Sequence, residues 1–151
     1  MRRALYSLGT ILLTVMSAPA SAQDTVYRTV ENPHQDELDY QINDTLDMGL
    51  EIEGVRFNRF AVKLRSDREL DPHRDNPVTV ELQLENTGRN NANALVIILF
   101  EDAEGDPLER LRCEPIAVGP GRSKDSGQKY KLPGAVLEAT RKIYLFVEAE
   151  F

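Results

Sequence analysis

A strict alternation of apolar and polar residues between positions 78 and 85 constrains the fold of this 151-residue chain more than any other feature. The alternating residues are Val78, Thr79, Val80, Glu81, Leu82, Gln83, Leu84 and Glu85. Successive side chains of a β-strand point to opposite faces, so this pattern predicts a strand with one buried face and one solvated face. Strands of this kind belong to antiparallel sheets that pack on a core.

Two further segments extend the pattern. Apolar residues alternate with acidic ones from Leu50, and the phase of the alternation changes near Asn58 and Arg59, which predicts a β-bulge there. Residues 95–100 are six consecutive apolar residues. Such a run is typical of a central strand that is either covered on both faces or mixes core positions with partly covered ones.

Turn residues divide the rest of the chain into short strands. Residues 101–107 (EDAEGDP) predict a hairpin in which Gly105 takes a positive φ, and residues 119–121 (GPG) predict another turn. Residues 124–132 predict a basic edge strand, 133–140 a short helical turn and 142–151 a last strand. The sequence therefore predicts an all-β, antiparallel sandwich of about seven strands over residues 48–151.

Residues 78–120 carry a resemblance to known modules. VTVELQLENTG is followed by ALVIILFEDAEGDPL and then by AVGPG. This cadence of strands and turns resembles the immunoglobulin-like sandwich modules of bacterial envelope proteins, in particular the FxLYD-type and CARDB-type domains. The resemblance implies an immunoglobulin-like fold that binds proteins or serves as a spacer, and it implies no catalytic residues.

The first 22 residues have the pattern of a leader. Arg2 and Arg3 precede an apolar segment over residues 5–16, and small residues at 20–22 suit a signal peptidase. We expect a Sec-type signal peptide cleaved after Ala22, a periplasmic or extracellular bacterial protein, and no membrane span after cleavage; an uncleaved anchor is the alternative. Cleavage leaves 129 residues and changes the net charge from −7 to −9.

Residues 23–47 predict an acidic, extended arm. Only Arg28 opposes its acids, which are Asp24, Glu31, Asp36, Glu37, Asp39, Asp44 and Asp47. An arm of this composition is either a solvated tail or a docking segment. In the second interpretation, its apolar anchors are Tyr27, Tyr40, Ile42 and Leu46.

Composition excludes several classes of protein. The negative net charge argues against binding of nucleic acid through its phosphates. A single cysteine cannot form an internal disulfide, and His34, His73 and Cys113 are too few for a typical Cys/His zinc site. Cys113 is either a small buried hydrophobe or a reactive or intermolecular thiol.

Two acidic loops are weak candidates for calcium, which takes six to eight oxygen ligands. The first loop contains Glu101, Asp102, Glu104 and Asp106, and the second contains Asp67, Glu69, Asp71 and Asp75. Neither loop has the spacing of an EF-hand. His73 is expected to be solvated, and no set of residues predicts catalysis or a cofactor.

One local concentration of basic residues consists of Arg122, Lys124, Lys129 and Lys131. On an edge strand these residues either discourage aggregation or bind an acidic partner. We expect a non-enzymatic interaction or assembly subunit with a protein partner in the cell envelope. The alternative is an envelope module that binds calcium or carbohydrate.

Overall fold

Ten β-strands and one short helix build the part of the chain that the structure, a computed structural model, describes: residues 25–65 and 69–151. The expected leader over residues 1–22 lies outside the described residues, and so does Asp67. The elements are β1 Arg28–Thr29, β2 His34–Asp39, β3 Thr45–Ile52, β4 Val55–Leu64, β5 Asp75–Asn86, β6 Ala92–Glu101, β7 Pro107–Arg112, β8 Ile116–Val118, β9 Arg122–Pro133, α1 Gly134–Ala139 and β10 Lys142–Glu150.

The strands form two sheets that pack as a sandwich. The first sheet has the order β1-β3-β4-β5-β9 and the second has the order β2-β10-β6-β7, with β8 also paired to β6. Strand β1 runs parallel to β3, so the first sheet is mixed. The prediction of about seven antiparallel strands is thus corrected to ten strands. Strands β1 and β2 have no alternation of apolar residues, because β1 has two residues and β2 lies at an edge of its sheet.

The core lies between the inner faces of the sheets. Every apolar residue of the alternation at 78–85 is buried in β5, as predicted. In β6, Val96, Ile98 and Phe100 are buried, whereas the alternate residues of the run at 95–99 are only half-buried. The six-residue apolar run therefore mixes core positions with partly covered ones, and its outer half is not buried by a second layer within residues 25–65 and 69–151.

Several local predictions are confirmed. The register of β4 against β5 shifts between Phe57 and Arg59, where the change of phase predicted a bulge. Gly105 has a φ of 88° in the turn between β6 and β7. Helix α1 occupies the predicted helical turn. Strand β9 lies at the edge of the first sheet, where the basic segment predicted an edge strand.

The described part of the predicted arm, residues 25–47, is built into the sandwich, which contradicts the first of its two interpretations, a solvated tail. Strand β2 pairs with β10 over six residues. Tyr40 is 2% exposed, and its hydroxyl oxygen accepts a hydrogen bond of 2.6 Å from the backbone N–H of Val62. Asn32 donates to and accepts from the backbone of Ala149. These tertiary hydrogen bonds replace the water that would solvate a free arm.

Candidate functional site

The outer face of the second sheet carries a continuous apolar surface. Residues directly opposite in an antiparallel pair point to the same face, so the register places side chains in rows across the four strands. One row is Glu37, Tyr144, Leu99 and Arg110, and the next is Gln35, Phe146, Ile97 and Arg112. We call the central residues the apolar strip: Leu95, Ile97, Leu99, Tyr144 and Phe146.

The apolar strip is accessible from solvent. All five of its side chains are half-buried, although they lie on the two central strands of the sheet. Four of them, together with Arg110, line a shallow depression of about 390 Å³. Contiguous apolar residues on the surface of a soluble protein mark candidate interaction sites. The strip is therefore the candidate functional site of this chain.

The two flanks of the strip carry opposite charges. On the β7 side, Arg110 and Arg112 are exposed, and neither forms a salt bridge within residues 25–65 and 69–151. On the β2 side, Glu37 and Asp39 are exposed. Lys142 forms a 2.8 Å salt bridge with Glu37 and neutralises one of these two acids. The β2 flank keeps an excess of negative charge.

Glu101 is a buried carboxyl group at one end of the strip. It is 6% exposed and lies opposite Lys142 in the register of β6 and β10. Its Oε2 atom has no hydrogen-bond partner within the described part of the chain. Desolvation raises the pKa of Glu101, and the charge of Glu37 adds to this increase, whereas Lys142 acts in the opposite direction.

The outer face of the first sheet is polar by contrast. At its centre, Arg56 lies 2.8 Å from Glu51 and 3.6 Å from Glu85, and its guanidinium stacks 4.3 Å from the ring centroid of Tyr27. The hydrogen bond from Arg56 to Glu51 is the main reason that the pKa of Arg56 is raised. Arg56 thus has two acidic partners on this face.

The predicted anchors of the arm do not form one exposed surface. Tyr40 is a core residue, which makes it inaccessible to a partner of the folded chain; burial raises its pKa to about 12. Tyr27 lies against Arg56 on the first sheet. Ile42 and Leu46 are half-buried and pack against the core. The sequence could not show that this segment adds to both sheets.

The predicted basic group is divided between the two faces of β9. Lys129 and Lys131 lie opposite Thr79 and Pro77, which are half-buried, whereas Lys124 and Arg122 lie opposite the buried residues Leu84 and Asn86. All four basic side chains are exposed. They lie along an edge strand but do not form one patch.

The acidic hairpin is held by its own side chains. Oδ1 of Asp102 accepts hydrogen bonds from the backbone N–H groups of Glu104, at 3.0 Å, and Asp106, at 2.9 Å. Glu101 belongs to β6 and is buried. In the described ranges, no group of three or more His, Cys, Asp or Glu side chains is placed to hold a metal ion.

The second acidic loop has a similar internal role. Asp71 accepts a hydrogen bond from the backbone N–H of His73 and forms a salt bridge with Arg74. Glu69 and Asp75 are exposed. His73 is also exposed, which confirms the expectation of a solvated histidine.

Cys113 is a free cysteine that is 2% exposed, as expected for a small buried hydrophobe. Burial raises its pKa to about 11, and a hydrogen bond with Tyr130 only partly opposes this increase. The thiolate, which is the reactive form, is therefore disfavoured at neutral pH.

No protein-family model matches this chain, and a comparison with curated proteins finds no significant similarity. None of the helices in the described residues is long and apolar enough to cross a membrane. The apolar strip is thus identified from geometry alone. Its signal in the sequence was the apolar run at 95–100, of which every second residue is half-buried on the outer face.

Proposed function

We propose that this protein is a non-enzymatic interaction or assembly subunit of the bacterial cell envelope, and that it binds a partner protein through the apolar strip. The strip itself carries the proposal. A sandwich folds by burying the inner faces of its sheets, so an apolar outer face adds nothing that the core requires. Covering it with another protein would remove apolar surface from water.

Two features of the sequence support the location and the class of protein. The leader pattern of residues 1–22 supports export to the periplasm or beyond. The resemblance of residues 78–120 to immunoglobulin-like FxLYD-type and CARDB-type modules supports a role in binding proteins. The two-sheet sandwich is compatible with that resemblance.

Site-specific photo-crosslinking in the native cell tests the proposal. A photoreactive amino acid replaces Leu99 at the centre of the strip, and the matched control replaces Gln83, which is also half-buried on the outer face of a central strand, in the first sheet. We expect a discrete protein adduct from position 99 and none from position 83. Adducts of equal yield from both positions, or no adduct from position 99, would contradict the proposal.

Carbohydrate binding is a second candidate because Tyr144 and Phe146 are two residues apart in β10 and lie on the same outer face. Aromatic side chains with an apolar body suit the apolar faces of sugar rings. Titration calorimetry with a glycan panel, with and without calcium, separates this candidate from protein binding. Heat of binding that is lost in Phe146→Ala would favour the glycan.

A further inference from the structure

The order of chemical types across the apolar strip is asymmetric. From β2 to β7, the row through Leu99 runs acid, aromatic, aliphatic, base: Glu37, Tyr144, Leu99, Arg110. The next row runs amide, aromatic, aliphatic, base: Gln35, Phe146, Ile97, Arg112. In both of these rows the positive charge lies at the β7 end. The face therefore has a polarity that any partner must complement.

A second copy of the same face complements this polarity in one orientation. When two copies meet face to face around a twofold axis parallel to the strands, between β10 and β6, each row meets its own counterpart in reverse order. Arg110 of each copy then lies over Glu37 of the other, whose Oε1 atom also contacts Lys142 of its own chain at 2.8 Å, and Tyr144 lies over Leu99. A twofold axis in the plane of the interface but perpendicular to the strands would instead place β2 over β2 and β7 over β7, so that the acidic flanks face each other and the arginines face each other.

We propose that the partner is a second copy of this chain, and that the apolar strip is the interface of a homodimer with its twofold axis parallel to the strands. This inference rests on the proposed function, because it names the occupant of the same surface. The strands of the two facing sheets would be nearly aligned, which is a common arrangement of packed sheets. Opposite charges at the flanks select this orientation over the perpendicular one.

The size of the strip determines how strong a dimer we expect. Four strands spaced about 4.8 Å apart, and rows about 7 Å apart along them, give a face of about 20 Å by 20 Å. The resulting area, roughly 400 Å² per copy, is about half that of a standard stable interface. We therefore expect a weak dimer that forms and dissociates with concentration, and not a permanent one.

Charge exchange between two variants tests the proposed pairing. Arg110→Glu opposes acid to acid twice in its own dimer, and Glu37→Arg opposes base to base twice. A mixture of the two variants allows a heterodimer in which one contact is native and the other is the same pair reversed. Sedimentation velocity over a concentration series should show dimer for the wild type, a shift to monomer for each variant alone, and recovery of dimer in the equimolar mixture.

Matched controls separate the pairing from general effects of charge. Arg122→Glu and Glu81→Arg make the same charge changes at exposed positions outside the strip, on β9 and β5; we expect both to dimerise as the wild type does. Circular dichroism and urea unfolding check that each variant is folded, which matters because Glu37→Arg also loses the salt bridge to Lys142.

Three outcomes would overturn the homodimer: a wild-type chain that stays monomeric at all concentrations, a mixture that associates no better than either variant, or controls that weaken the dimer equally. Photo-crosslinking at position 99 distinguishes failure of this inference from failure of the proposed function. An adduct with a different protein, from a chain that is monomeric in sedimentation, removes the homodimer and keeps the docking surface. An adduct with the mass of two copies supports the dimer.

Discussion

The outer faces of the two sheets belong to one sandwich and differ in chemistry. On the first sheet, Arg56 joins Glu51 and Glu85 in an ion cluster on a polar face. On the second sheet, the central strands carry the half-buried apolar strip, with Glu37 on one flank and Arg110 and Arg112 on the other. Both inner faces already supply the core. The apolar character of the second outer face is therefore a property that folding does not require.

The largest expected effect is on the free energy of unfolding, and it differs between the two faces of β6. Phe100→Ala removes a fully buried ring, and we expect it to lower the free energy of unfolding by about 3–5 kcal/mol. The neighbouring change Leu99→Ala lies on the outer face and should cost about 1 kcal/mol or less. Urea unfolding of the two variants measures both. Equal costs would mean that Leu99 is a core residue and that the strip is structural.

A smaller effect is expected at Tyr40, which follows strand β2 and lies in the core. Tyr40→Phe keeps the ring but removes the hydroxyl that accepts from the N–H of Val62, and an unsatisfied buried donor should cost about 1–3 kcal/mol. The control is Tyr27→Phe on the first sheet, whose hydroxyl has no hydrogen bond to the described residues. Thermal unfolding of both variants checks this. If they unfold at the same temperature, residues 25–47 contribute less to the sandwich than we infer.

The smallest effect concerns Glu101 and depends on pH. Its pKa is raised in the folded protein above the usual 4.5, so the folded chain holds the proton more tightly than the unfolded chain does. The free energy of unfolding should therefore fall as the pH rises from about 4.5 through the folded pKa. Glu101→Gln lacks this loss, so its stability relative to wild type should be greater at pH 7 than at pH 4.

Urea unfolding at the two pH values measures this difference, and Glu150→Gln is the exposed control on the same sheet. A relative stability of Glu101→Gln that is the same at both pH values, or greater at pH 4, would contradict the raised pKa. It would also show that the end of the strip at Glu101 is more solvated than the burial of Glu101 implies.

Much of the fold was predictable because alternation, turn residues and a change of phase are local signals. They identified β5, the bulge between Phe57 and Arg59, the hairpin at Gly105 and the edge position of β9. Strand β2 was not predictable. It lies at an edge, and of its residues only Leu38 packs an apolar side chain against the core, so its sequence has no alternation of apolar residues.

The candidate site was less predictable than the fold. The apolar run at 95–100 has the same sequence whether another layer covers its outer half or leaves it open, because only the tertiary structure decides this. The pairing of Leu99 with Tyr144 and of Ile97 with Phe146 depends on the register of β6 and β10, whose residues are far apart in the chain. The burial of Tyr40 likewise depends on Val62 of another strand.

Hydroxyl-radical footprinting tests whether a partner covers the apolar strip, because it measures both outer faces of the sandwich in one sample. Oxidation of Tyr144 and Phe146 on the second sheet is compared with oxidation of Tyr27 on the first, in native envelopes and in dilute purified protein. We expect Tyr144 and Phe146 to be protected in the envelope and Tyr27 to be oxidised equally in both samples. Unchanged oxidation of Tyr144 and Phe146, or equal protection of Tyr27, would contradict this expectation.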